Sequence, residues 1–274
     1  MTTVADLLFV ALFGVAGPLI DYFLHWPAFR RLSQSDPAWA RWWLWASNIV
    51  ELWWLVAVGV AIWMASGRPW TSVGFTVPDG WRLWTSIALF LLLAAYFVYA
   101  GATIARDSNA RANVRQQFSG ELATVLPQTR TEMYWFGAAS LTAGFCEEFL
   151  FRGYFIWVFT PWLGWWGAAA LSLMVFAIAH IYQGWNGVLR VGIVGAGFTL
   201  AVAIFGSLWP AIALHALIDL ANGMMAWLAL REASPRGDAV QGERPAEPQS
   251  ASGVHADPVH AEPSAGADRP FVTD

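Results

Sequence analysis

Apolar residues run along this chain in long blocks, separated by short stretches rich in Arg, Asp, Pro and Gly. A helix needs about 20 mostly apolar residues to cross a hydrocarbon core about 30 Å thick. Seven windows come close to that length: roughly 5–24, 42–64, 84–105, 133–159, 166–182, 191–206 and 209–230. The sixth is short and holds Gly192, Gly195, Gly197 and Gly206, which suits close contact between helices. An eighth span is available by splitting one of the others. The pattern predicts an all-α fold, a polytopic integral membrane helical bundle of about seven transmembrane helices.

Two segments fall outside the windows. Between Asp107 and Thr131, the residues Val114, Phe118, Leu122 and Val125 recur at helical spacing while Arg111 and Arg115 lie off that stripe. This predicts a short helix on the cytoplasmic membrane surface. Beyond Leu230 come six prolines, many small residues and almost no large apolar side chain, so residues 231–274 are expected to be a disordered tail. His255 and His260 in that tail lack the preformed site that a functional metal needs.

Composition agrees with membrane residence. The chain is 57% hydrophobic, against roughly 45–50% for soluble domains. Residues 231–274 hold eight of the nineteen acids and four of the fifteen basic residues, so the body before them is neutral and the net charge of -4 belongs to the tail. All basic residues are Arg, scattered over loops, which argues against a nucleic-acid partner. The single cysteine, Cys146, allows neither an internal disulfide nor a thiolate zinc cluster. Residues 1–24 carry Asp6 and no basic n-region, which favours a retained first span over a cleaved signal. Twelve arginines fall on the odd-numbered loops and the tail, and only Arg68 and Arg82 on the even-numbered ones. Basic loops stay cytoplasmic, so the N-terminus is expected outside and the tail in the cytoplasm. Tryptophans at the span ends, Trp42, Trp84, Trp166 and Trp209 among them, fit the headgroup level.

Ionisable groups inside hydrocarbon cost at least ~2.5–3.5 kcal/mol each, which makes them functional candidates. On a helix Glu147, Glu148 and Arg152 fall within an arc of about 140°, so all three can face one cavity. The i, i+4 spacing of Glu148 and Arg152 suits an ion pair and leaves Glu147 less compensated, as a general base requires. His215 and Asp219 share a helix face, where the carboxylate can take the proton of one imidazole nitrogen and free the other. His180 follows Phe176 by one turn. Two histidines and a glutamate pair on separate spans match the ligand set of a catalytic zinc site with one position left for water. Asp21 and Glu51 remain. Glu51 is mid-span with Asn48 one turn before it, and its readings are a proton-path residue, a partner of Arg41 or Arg152, or a protonated buried acid, with a structural role favoured.

The order Glu147-Glu148-x-x-x-Arg152, Phe176-x-x-x-His180, His215-x-x-x-Asp219 on successive membrane helices resembles the three motifs of the type II CAAX prenyl endopeptidases and their bacterial relatives, the CPBP (Abi) intramembrane metalloprotease family. The resemblance covers about residues 132–230, and the spans before it resemble nothing nameable. It divides the chain into N-terminal helices with a surface segment (1–131), a protease-like core (132–230) and the tail (231–274). It implies an intramembrane endopeptidase in a bacterial inner (plasma) membrane, acting on a membrane-associated peptide or protein. Glu147 with His180 would activate water, and His215 with Asp219 would stabilise the tetrahedral intermediate. The metal it implies is a divalent cation, zinc, on Glu147, His180 and His215. Asp219 stands where the eukaryotic enzymes carry Asn; an ionised Asp cannot donate to an oxyanion, so orientation of His215 or support of a metal suits it better. The rival readings are a non-proteolytic scaffold of the same fold and a metal or proton transporter, for which no inverted repeat is visible. Depth raises one conflict: Glu147 and His215 agree in level, but His180 falls near the cytoplasmic end of its window. Either the fifth helix runs on toward Gly187, or the helices stagger around a cavity.

Overall fold

The computed structural model describes residues 2–118 and 121–230, with backbone only for Glu121 and Leu122. The tail expected to be disordered lies outside the described residues. Among the described residues there is no strand, and eight helices follow in order: α1 (Val4–Ser35), α2 (Pro37–Ala65), α3 (Gly80–Arg106), α4 (Ser108–Gln117), α5 (Glu121–Val125), α6 (Arg130–Ala179), α7 (Gly184–Phe205) and α8 (Leu208–Leu230). All but α4 and α5 are long and apolar enough to cross a membrane. The expected surface helix is two short ones, α4 and α5. α4 is tied down by Arg111, which donates to the carbonyls of Ile104 and Ala105, and by Arg115, which donates to that of Ala229.

Local chemistry sets the ends. Thr3 caps α1 and Asp6 returns the bond to the Thr3 backbone; Thr129 and Glu132 repeat this capping box at α6. Asp36 accepts from the Trp39 N–H to start α2, with Pro37 in the first turn. Pro18 and Pro27 lie inside α1 without breaking it. Each follows a π-helical turn, Leu12–Ala16 and Asp21–His25, where wider i→i+5 bonding accommodates the missing proline N–H.

Six helical stretches are long and apolar enough to cross a membrane, and one of them, Arg130–Ala179, is two helices joined at a kink. Windows 133–159 and 166–182 belong to one helical stretch of 50 residues, about 75 Å if straight and over twice the hydrocarbon core. It is not straight. Gly164 has φ 66 and ψ 167, a conformation open to glycine, and reverses the chain there. Ser172 Oγ donates to the Phe151 carbonyl at 2.7 Å, and Ile156 packs with Ala168 and Ala169, so residues 130–163 and 165–179 form antiparallel legs. The count of membrane-crossing legs is therefore seven. The two hydropathy windows correspond to these two helices, which meet at the Gly164 kink. The sixth window starts earlier than expected, at Gly184.

The long helices are held in fixed register. Arg41 pairs with Glu132, Trp53 Nε1 donates to Thr142 Oγ1 at 3.2 Å, and Phe149 approaches Gly59, all at nearly the same sequence offset, so α2 and the first leg of α6 run parallel. α8 runs antiparallel to that leg: Phe136 meets Gly223, Leu220 meets Gly137 and Ala216 meets Gly144. α3 packs on the far side of α8. Large apolar side chains such as Trp84, Leu92, Tyr99 and Ile193 point outward, as lipid-facing residues do. Side chains from both sides of residue 131, Phe9, Phe13 and Leu55 with Phe149 and Tyr154, share one core.

A buried clamp closes the end of the bundle opposite Arg41 and Glu132. Asp6 is fully buried and receives Arg68 Nη1 at 2.7 Å, Arg68 Nη2 at 2.8 Å and the Tyr154 hydroxyl at 2.5 Å. The guanidinium lies over Trp63 and Trp157. Removing one partner of a buried ion pair strands the other charge, at a cost of about 3–5 kcal/mol. Arg68→Met is therefore expected to lower the unfolding midpoint of detergent-solubilised protein markedly. A midpoint equal to wild type would show that the clamp does not support the fold.

Candidate active site

The catalytic candidates meet where the first leg of α6 crosses α8. From Glu148 to Phe155 the helix is π-helical, and every one of these side chains is buried. Glu148 is fully buried; its Oε1 accepts Arg152 Nη1 at 2.9 Å and His215 Nδ1 at 2.8 Å. A carboxylate oxygen bonded to a guanidinium only accepts, so His215 carries its proton on Nδ1. Its Nε2 then faces the other two acids, 3.8 Å from Glu147 Oε2 and 3.5 Å from Asp219 Oδ2. The carboxylate that bonds His215 Nδ1 is thus Glu148, not Asp219, whose side chain is 35% exposed. Sequence spacing points to the i+4 neighbour on the same helix, but the crossing brings a closer acid from α6. Glu148 Oε2 is buried with no hydrogen-bond partner.

Neighbours hold this set in place. Arg152 Nη2 donates to the Gly195 carbonyl at 3.1 Å, and its guanidinium lies 4.1 Å from the Phe176 ring centroid. Phe198 stacks on His215 at 4.6 Å. The crossing is close because Gly144 has no side chain: a Cβ there would lie 2.9 Å from the Ala216 backbone nitrogen. A cavity of about 690 Å³ with Thr71, Ser72 and Thr160 in its lining reaches Arg152 from the side of the 66–79 loop.

His180 ends the second leg of α6, which does not run on toward Gly187. The helix stops at Ala179, a 3₁₀ turn follows over Ile181–Gln183, and α7 begins. His180 Nδ1 donates to the Phe176 carbonyl at 2.8 Å, which leaves Nε2 as an acceptor. Phe176 stands between the two histidines, with its ring 4.9 Å from His180 and 6.4 Å from His215. Glu147, His180 and His215 are not among the groups whose donor atoms fall within 4.8 Å of one another. As arranged, this ligand set does not fit a single metal ion. Among the described residues the group that meets the distance is Asp21, His25 and Glu51. Glu51 has neither arginine the sequence offered it, because Arg41 pairs with Glu132 and Arg152 with Glu148. Sequence reasoning did not single out Tyr182, whose ring lies 5.9 Å from that of His180. Nothing but its place two residues past His180 could have signalled it.

The family model for type II CAAX prenyl endopeptidase Rce1-like proteins matches residues 129–221. Those residues are similar to that family. The match takes in the whole of α6, α7 and most of α8, including Glu147, Glu148, Arg152, His180, His215 and Asp219. Curated proteins and solved structures give no match to the chain. The matched residues sit in a helical bundle of membrane-crossing length, as in an integral membrane protein.

The two adjacent glutamates are expected to behave oppositely. Glu148→Ala removes the acceptor shared by Arg152 and His215 and should cost about 3–5 kcal/mol of stability. Glu147→Gln should leave thermal unfolding close to wild type, because Glu147 makes no short ion pair. Equal losses in both variants would contradict the division of labour.

Proposed function

We propose that the chain is an intramembrane endopeptidase that hydrolyses a peptide bond in a membrane-tethered or hydrophobic substrate. The observation that carries this reading is Glu147: a carboxylate without a close cationic partner, 14% exposed, beside a histidine whose orientation a second carboxylate fixes. The remaining support is the Rce1-like match across all three motifs.

In this reading Glu147 accepts the proton of the attacking water as the new C–O bond forms at the scissile carbonyl carbon. His180, with Nε2 as acceptor, orients that water. The charge on the carbonyl oxygen is met by His215, which donates from Nε2 when protonated, and the proton held on Glu147 passes to the leaving amine as the C–N bond breaks. Asp219 acts as an acceptor toward His215 Nε2 and not as an oxyanion donor. These steps use side chains alone, since the motif residues do not gather around one ion. Burial of the set within long apolar helices supports a bilayer partner and a substrate already in the membrane. The arginine distribution supports an N-terminus outside and a cytoplasmic tail in a bacterial inner membrane.

The test compares protein termini in the host between wild type and Glu147→Gln at matched, membrane-inserted levels. New N- or C-termini are expected only with wild type, and they would name the substrate. If no terminus differs, proteolysis is refuted, leaving a scaffold or, should reconstituted vesicles take up ions, a transporter.

A further inference from the structure

Asp21, His25 and Glu51 lie outside residues 129–221 and have no part in the chemistry above. α1 and α2 form a hairpin around Asp36, and Asp21 and Glu51 stand equally far along its two arms. His25 Nδ1 is 2.7 Å from Asp21 Oδ1 and 3.9 Å from Glu51 Oε2. One donor atom from each residue falls within 4.8 Å of the other two, close enough for a single ion to touch all three. The π-helical turn Asp21–His25 puts its first and last side chains on the same face, and such turns often mark functional sites.

Charge says what should occupy this place. Three other acids in the bundle each face an arginine: Asp6 with Arg68, Glu132 with Arg41 and Glu148 with Arg152. Asp21 and Glu51 instead share one imidazole. Two ionised carboxylates beside a neutral histidine sum to two negative charges between apolar helices, and a divalent cation cancels that sum. Partial exposure, 40% for His25, 44% for Asp21 and 31% for Glu51, leaves an ion a way in and room for a completing water. Two carboxylate oxygens and one imidazole nitrogen suit a first-row divalent metal such as zinc, with three protein ligands and an open position.

We propose that Asp21, His25 and Glu51 bind a divalent transition cation, zinc foremost, at a site formed by the α1–α2 hairpin and separate from the motif histidines. The ion would bear on the catalytic set through neighbours: Trp26 follows His25 and packs 5.0 Å from the ring of Tyr182, which lies 5.9 Å from the ring of His180. Occupancy would therefore brace the turn that carries His180.

The experiment uses full-length untagged protein in detergent, stripped with chelator, reloaded with zinc and desalted before metal analysis. Wild type is expected to hold about one zinc more than Glu51→Gln or His25→Gln. His215→Ala should keep that ion, which separates this site from any metal on the motif residues. Loading with cobalt gives a second readout, a visible absorption band present in wild type and His215→Ala and lost in His25→Gln. Size-exclusion profiles establish folding, and Asp21→Asn serves if either first variant aggregates. Zinc content equal to wild type in the folded hairpin variants overturns the proposal, as does a loss confined to His215→Ala or a wild type that retains no zinc. Because the readout is metal content, failure here is distinct from failure of the protease reading.

Discussion

A carboxylate with no water around it must be answered by the protein, and the buried Glu148 answers to two partners at once. Arg152 reaches it from one turn along the same π-helical segment and His215 from the facing helix α8. Arg152 also holds the Gly195 carbonyl of α7, so one acid links three helices. Leaving such a charge unpaired costs several kcal/mol, which penalises any sliding of α8 along α6. The close crossing follows from the same demand. His215 can reach Glu148 because Gly144 lets the α8 backbone approach at Ala216. The spacing of the motifs is thus the spacing needed to satisfy one buried charge.

The N-terminal helices are part of that arrangement, although the family match does not cover them. α2 runs parallel to the first leg of α6, joined by Arg41–Glu132 near one end and by Trp53–Thr142 farther along. α1 enters the core through Phe9 and Phe13, which pack on Tyr154, Phe151 and Phe155, while Asp6 receives Arg68 and Tyr154 at the opposite end. Polar ties at both ends and aromatic packing between them fix the depth of α6. Fixing α6 fixes Glu147 and Glu148.

Much of this was legible in the sequence, for specific reasons. Blocks of apolar residues report membrane length directly, and i, i+4 spacing reports the Glu148–Arg152 pair because helix geometry allows little else. Less legible were features that depend on contacts between helices. Hydropathy separates 133–159 from 166–182 but does not report how closely the two helices fold back on each other at Gly164. Spacing within α8 places Asp219 beside one nitrogen of His215, and the acid at the other nitrogen, Glu148, comes from α6. Glu51 gave no sign of its neighbour, since the approach of His25 depends on the hairpin closing at Asp36 and on a π turn that a regular 3.6-residue period does not anticipate.

Two consecutive glutamates explain how one helix can be both rigid and reactive here. A single buried carboxylate cannot anchor Arg152 and His215 and also take a proton from water, because protonation would release both anchors. Successive residues on a helix point about 100° apart. Glu148 therefore turns into the core while Glu147 keeps an edge toward the partly exposed side where Asp219 lies. The anchored acid keeps His215 Nε2 beside the free one at 3.8 Å. Proton transfer at Glu147 can then proceed without disturbing the contacts that hold the helices together, and the pair works only as a pair.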